Sequence, residues 1–435
     1  MKKKKFDFTI QTLGEATLPS PLSVSYFTSD EKRILFNIYL KDYEAHKTSD
    51  GQPLSIEVAG PREKIFFDPA KSKAAIVTCG GLCPGINDVI RAIVMVLYHR
   101  YGVKNVIGIK CGFKGLIPHY GYEIKELTPD IVKDIHTLGG SILASSRGRE
   151  DVGAMVDALK RMNVDIFFCI GGDGTMRATE AIADEITRRN MNMSVVGVPK
   201  TIDNDLNLIQ RSFGFDTAIS ESVKAIRCAH VEATGAPNGI GLVKIMGRQS
   251  GHIAASAALA QNDVNFVLIP EVPFDLAGEK GFLKALERRL KERSHCVILV
   301  AEGAGQELIR QSNDPLETDA SGNLKLLDIG AFLKTRINEY FQAKGIEINL
   351  KYIDPSYIIR SVPANSFDSI YCGALGQYAV HAAMAGKTSM LVSLVKDEYV
   401  HLPLKMVASG MQVDPGGNIW MRVLEATGQP PSLKN

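Results

Sequence analysis

Between residues 73 and 301 short apolar runs recur, each closed by glycine or polar residues and followed by a stretch of helical period. AAIVTC (74–79), NVIGIK (105–110), VDIFFCI (164–170) and SVVGVP (194–199) form a first series. GIGLVKI (239–245), NFVLIP (265–270) and CVILVA (296–301) form a second. Runs of this length and composition read as buried strands. The segments between them carry apolar residues at helical spacing: Val89, Ile93, Val96 and Leu97 over 87–100, and Ala178, Ile182 and Ile186 after GGDG. FLKALERRLKER (282–293) is helical with a solvated charged face. Strands alternating with helices predict an α/β fold with mainly parallel, doubly wound sheets. At 435 residues the chain is long for one core. The expectation is therefore two Rossmann-like domains with a cleft between them, preceded by an extension over residues 1–72, which prolines at 19, 21, 53, 61 and 69 break into short pieces.

Composition excludes several classes. A formal net charge of +2 gives no global pull toward nucleic acid or a membrane surface, so any anion site must be built locally. The start, MKKKK, is basic, but FDFTIQTLGEATLP behind it is not the apolar core of a signal peptide. No run is long enough for a membrane-spanning helix. A cytoplasmic location is expected. The seven cysteines are scattered without a CxxC pair, so buried free thiols are expected. Cys79 and Cys83 lack the further ligands that a metal centre needs.

In open parallel sheets, ligands gather beyond the carboxyl ends of the strands. Three unusual loops fall there: GGLCPG (80–85), GGDGT (171–175) and PKTIDND (199–205). Two of them open directly onto helices. A glycine turn at a helix start offers backbone N–H groups and the positive helix end, and both attract phosphate. GGLCPG alone could equally be a structural turn. In GGDGT, an acid beside phosphate needs a cation, so Asp173 reads as a Mg²⁺ ligand or, alternatively, a helix cap. In TIDND, alternate residues of an extended segment share a face, which groups Thr201, Asp203 and Asp205. One acid could take a hydroxyl proton while the other helps hold metal, and Lys200 could neutralise a phosphoryl group. The competing reading is an Asx-rich turn.

With MGRQSG (246–251), AEG (301–303) and PSYIIR (355–360) following in order, the chain resembles the 6-phosphofructokinases from about residue 73 to beyond 400. PKTIDND and PSYIIR resemble the long branch, which holds both ATP-dependent and pyrophosphate-dependent enzymes. The resemblance implies Asp203 as the base that deprotonates the 1-hydroxyl of fructose 6-phosphate, with Thr201, Lys200 and Arg248 in the catalytic group. It implies Asp173 and Asp205 in the Mg²⁺ region. Gly80, Gly81, Phe113, Arg147, Gly172, Gly174 and Thr175 fall on phosphoryl-donor positions, with Phe113 over the nucleotide. Met246, Gly247, Arg248, Glu302, Lys351, Tyr357 and Arg360 fall on sugar-phosphate positions, with Lys351 reaching in from a neighbouring subunit. The implied donor domain is 73–214 with 364–405, and the sugar-phosphate domain 215–363 with 406–435. A homodimer or homotetramer is implied. Gly239 departs from the short bacterial enzymes, which carry an arginine there.

Position 174 bears on the donor. The pyrophosphate enzymes resemble GGDD here, and the extra carboxylate fills space that a nucleotide needs. Gly174 leaves it open and favours ATP, whereas Lys200 resembles the pyrophosphate branch. A steric block excludes a ligand more firmly than an added cation invites one. The expectation is phosphorylation of fructose 6-phosphate by Mg-ATP, with pyrophosphate as the alternative donor. A lipid or NAD kinase would explain GGDGT but not the later motifs. An inactive nucleotide-sensing subunit would lack at least one of Asp203, Asp173, Thr201 and Arg248, and all are present.

Overall fold

The structure is a computed structural model that describes residues 6–45, 47, 51–310, 317–318, 324–407 and 410–435. The basic start at 1–5 lies outside the described residues. In chain order the main elements are β1 (Lys73–Thr78), α1 (Ile86–Val96), β2 (Asn105–Ile109) and β3 (Ile124–Glu126). Then come α2 (Val152–Arg161), β4 (Ile166–Gly171), α3 (Asp173–Arg188) and β5 (Ser194–Pro199). The second series runs α4 (Phe215–Thr234), β6 (Gly239–Ile245), α5 (His252–Ala260), β7 (Phe266–Leu268), α6 (Phe282–Arg293) and β8 (His295–Ala301). It ends with α7 (Ile329–Ala343) and β9 (Asn349–Ile353). Finally come α8 (Ser366–Met384), β10 (Met390–Val395), β11 (Glu398–Pro403) and α9 (Asn418–Thr427).

The chain divides into two compact units. The first comprises 1–201, 206–214 and 362–409; the second comprises 202–205, 215–361 and 410–435. The first holds a seven-stranded sheet in the order β11-β10-β5-β4-β1-β2-β3. Its five inner strands are parallel; β3 and β11 are antiparallel edges. Every residue of β4 and β5 is buried, which is why neither strand alternates polar with apolar. Phe167, Cys169, Ile182 and Val195 share one cluster on this sheet. On α8, a Cβ at Gly376 would stand 2.6 Å from that of Ala92, so the glycine lets α8 lie close against α1. The second unit holds a fully parallel sheet in the order β7-β8-β6-β9. Its core joins Ile240, Ile298, Phe282 and Leu333.

The helix expected over 87–100 runs from Ile86 to Val96 and continues as a π turn over Leu97–Tyr101. Among its described residues, the segment 6–72 carries short strands and one short helix, Leu40–Ala45. Gln11–Thr12 pairs with Lys387–Thr388, and Arg33–Leu35 pairs with Ser55–Glu57. These residues belong to the first unit. Cys79, Cys83, Cys169, Cys296 and Cys372 are buried free thiols, while Cys228 is exposed. Burial pushes the Cys79 thiol up to about 12.

Candidate active site

In the first unit, three strand ends converge on the glycine loops. β1 ends at Thr78, whose hydroxyl donates to the Ala144 carbonyl at 2.7 Å. Ser145 Oγ donates to the Gly80 carbonyl at 2.6 Å, so the loop carrying exposed Arg147 is latched to GGLCPG. Lys200, only 5% exposed, closes the arrangement: its Nζ donates to the Gly81 carbonyl at 2.6 Å. Its own amide donates to the Gly171 carbonyl at 2.9 Å, tying the end of β5 to the start of GGDGT.

α3 starts immediately after Gly172, which caps it without a side-chain bond. Asp173 is therefore the first residue of the helix and not its cap; it pairs with Arg177 one turn on. The first-turn amides of Gly174 and Thr175 have no helical acceptor, and with the helix dipole they form an anion cradle. A Cβ at Gly171 would collide with the Thr175 side chain at 2.2 Å, so that glycine is required for packing. A Cβ at Gly174 would meet nothing within 4 Å. The volume that a second carboxylate would take is therefore open.

Two donor-side residues differ from expectation. The Gly80 N–H donates to the Ser146 carbonyl at 3.1 Å, so this amide serves the loop and is not aimed at a ligand. Phe113 is 6% exposed and packed in the core cluster, so its ring has little face left for a base.

TIDND shows an alternation of burial. Ile202 and Asn204 are buried, while Thr201, Asp203 and Asp205 are half-buried. Asn204 takes a left-handed backbone at φ 50, so the segment is kinked and not a plain strand. Asx chemistry thus shapes the turn, and the acids still sit at the accessible positions.

In the second unit, β6 and β8 deliver MGRQSG and AEG side by side. Glu302 N donates to the Ile245 carbonyl at 2.9 Å and Gly303 N to the Gly247 carbonyl at 3.1 Å. A Cβ at Gly303 would stand 2.0 Å from the Arg248 carbonyl, so only glycine permits this approach. Met246 and Arg248 are half-buried, and an Arg248 Nη2 hydrogen bond reaches the Leu324 carbonyl. Burial pushes the Glu302 carboxyl up, opposed by the charges of Arg248, Lys244 and Arg360. Arg360 lies over the Tyr357 ring at 4.9 Å, and Tyr357 is 72% exposed, which rules out a core role for it. Among the described residues, Arg360 Nε is buried with no hydrogen-bond partner. A desolvated guanidinium donor left open in this way suits an anionic ligand. Lys351 is exposed on β9, the edge strand of its sheet.

Sequence reasoning missed Lys244. It bridges Asp354 at 2.8 Å and Asp328 at 3.1 Å, and so ties β6 to the residue before PSYIIR and to the cap of α7. Nothing in a single lysine on an apolar strand marks it. Among the described residues no three His, Cys, Asp or Glu side chains are grouped to hold a metal.

The profile of the phosphofructokinase family matches residues 73–383. An ATP-dependent 6-phosphofructokinase of Borreliella burgdorferi is 51% identical, covering 100% of this chain and 99% of its own. An ATP-dependent 6-phosphofructokinase of Amycolatopsis methanolica is 46% identical over 98% of this chain and 95% of its own. The crystal structure of a pyrophosphate-dependent phosphofructokinase from Marinobacter aquaeolei superposes with a TM-score of 0.67 at 20% identity, covering 82% of this chain and 91% of that one. At that identity it speaks for the fold alone.

Proposed function

The chain belongs to the phosphofructokinase family, and we infer that it transfers the γ-phosphoryl group of ATP to O1 of fructose 6-phosphate, yielding fructose 1,6-bisphosphate in glycolysis. The full-length likeness to ATP-dependent relatives carries this reading. The open volume at Gly174 agrees with it.

The residue roles are those the family resemblance implies. The α3 amides at Gly174 and Thr175, the Gly80–Gly81 loop, Gly172 and Arg147 hold the donor's phosphates. Lys200 neutralises the negative charge that develops on the transferring group. Asp173 and Asp205 would hold Mg²⁺, which would supply charge neutralisation on the phosphates. Arg248 and Arg360 take the 6-phosphate as charge-assisted donors, with Tyr357 and the Met246–Gly247 turn beside them. Glu302 accepts from sugar hydroxyls, and Lys351 comes from a second copy of the chain. Asp203 removes the O1 proton as O1 attacks the γ-phosphorus, with Thr201 orienting the segment. The O1–H bond breaks and the O1–P bond forms. The bond to the β-phosphate oxygen breaks, ADP leaves, and Asp203 returns its proton to water.

On this reading, 73–214 with 364–405 is the donor domain and 215–363 with 406–435 is the sugar-phosphate domain. The assembly is a homodimer or homotetramer, and the location is cytoplasmic. Among the described residues no helix is long and apolar enough to cross a membrane. The test is fructose 6-phosphate with ATP or pyrophosphate in parallel, coupled through aldolase to NADH oxidation. Turnover with ATP is expected; turnover with pyrophosphate alone would overturn the donor assignment.

A further inference from the structure

The segment that carries Asp203 and Asp205 is gripped by its backbone from two sides within the second unit. On one side, the amides of Gly410 and Met411 both donate to the Asp205 carbonyl at 3.0 Å. On the other, Ser250 Oγ donates to the Asp203 carbonyl at 3.4 Å. Ser250 is 1% exposed and also hydrogen-bonds the ring of buried His252 through Nδ1. Neither grip would hold its geometry unless the two arms were themselves fixed.

One side chain fixes both. The Glu271 carboxylate accepts from Gly251 N through both oxygens, at 2.8 and 3.1 Å, and from Val413 N at 2.8 Å. Gly251 adjoins Ser250, and Val413 lies two residues beyond Met411. Gln412 adds a cross-tie, its Nε2 donating to the Gln249 carbonyl at 3.1 Å. The approach is tight by construction. A Cβ at Gly251 would stand 2.4 Å from the Ile269 side chain and 2.9 Å from Glu271 Oε2. Gly251 also caps α5, so the carboxylate faces a helix N-terminus, which favours its charge. Backbone donors to a carboxylate make strong, directional bonds.

We infer that Glu271 is a positioning residue for the phosphoryl transfer, acting through the C-terminal segment 410–413 and the 249–251 turn to hold the peptide frame of Asp203 and Asp205. This rests on Asp203 being the base. The C-terminal segment is thereby part of the catalytic apparatus through its backbone amides. A base whose frame is free to move by an ångström loses rate on the order of a hundred-fold, because productive geometry is visited less often.

The test uses full-length Glu271→Gln and Met411→Pro, singly and together, with Asp203→Ser alongside. Glutamine keeps the shape but presents N–H groups where backbone donors point; proline deletes one of the two amides that bond Asp205. Each single variant is expected to lower kcat about ten-fold or more while the KM for ATP holds. The double variant is expected to fall well short of the product of the two losses, since both break one device. A fall in melting temperature with kcat intact, a rise in the fructose 6-phosphate KM alone, or multiplicative losses would each overturn the proposal. If Met411→Pro does not fold, Glu271→Gln alone decides by the same kcat criterion. Asp203→Ser separates the two claims. Full turnover in that variant would remove the base assignment itself, whereas a dead Asp203→Ser beside a fully active Glu271→Gln removes only the positioning role.

Discussion

Gly174 is the residue at which the donor can be tested without disturbing the fold. It stands in the first turn of α3 with open space where its Cβ would be. Gly174→Asp adds volume and negative charge beside the anion cradle at no packing cost. ATP use should fall by ten-fold or more while any pyrophosphate use changes less, read as kcat/KM for each donor; unchanged ATP kinetics would contradict the steric argument. Much at this scale was legible in the sequence. The spacing in TIDND separated Ile202 and Asn204 from the accessible Thr201, Asp203 and Asp205, and the observed burial follows it. The acid in GGDGT fell on the first turn of a helix. What could not be read was where amides and rings point. Gly80 N–H is spent on Ser146, and Phe113 is in the core, because loop latching through Ser145 and Thr78 depends on residues some sixty positions away.

Among the elements, the strands were legible because fully buried parallel strands write continuous apolar runs. The N-terminal extension was not, because its strands are two or three residues long and its contacts, such as Phe8 and Ile56 with Leu391 and Val400, are distant in sequence. One of its anchors is a charge cluster around buried Glu57. Glu57 Oε1 accepts from Arg62 Nη2 at 2.9 Å, Lys387 Nζ at 2.8 Å and His401 Nδ1 at 2.8 Å. Asp30 takes Arg62 Nε at 2.6 Å and Lys387 Nζ at 2.9 Å from the other side. Burial pushes the Glu57 carboxyl up, but His401 and Lys387 outweigh it and hold it at about 2, against an ordinary 4.5. A carboxyl depressed in the folded state contributes stability that is complete above its unfolded value and is lost as pH falls toward the folded one. Glu57→Gln should cost ~3 kcal/mol at neutral pH, by leaving buried cations short of an anion. Its penalty should shrink as pH drops from 4.5 toward 2. Melting curves against pH check this; parallel curves for the two proteins would contradict it.

For the whole molecule, the sequence order of six motifs identified the family where no single motif could, and the full-length comparisons agree with it. The interleaving of the two units is less visible, since the chain leaves one unit for four residues at 202–205 and returns. Assembly enters through Lys351, exposed on an edge strand and proposed to serve a neighbouring copy's sugar phosphate. Lys351→Met should raise the KM for fructose 6-phosphate about ten-fold or more by removing a phosphate cation, with oligomeric mass unchanged by light scattering. An unchanged KM would place the lysine outside the site. The central claim is that one carboxylate, Asp203, takes the O1 proton. The direct test is kcat of Asp203→Ser with both substrates saturating: a loss of roughly a hundred- to ten-thousand-fold with near-native KM values is predicted, and near-full turnover would contradict the account.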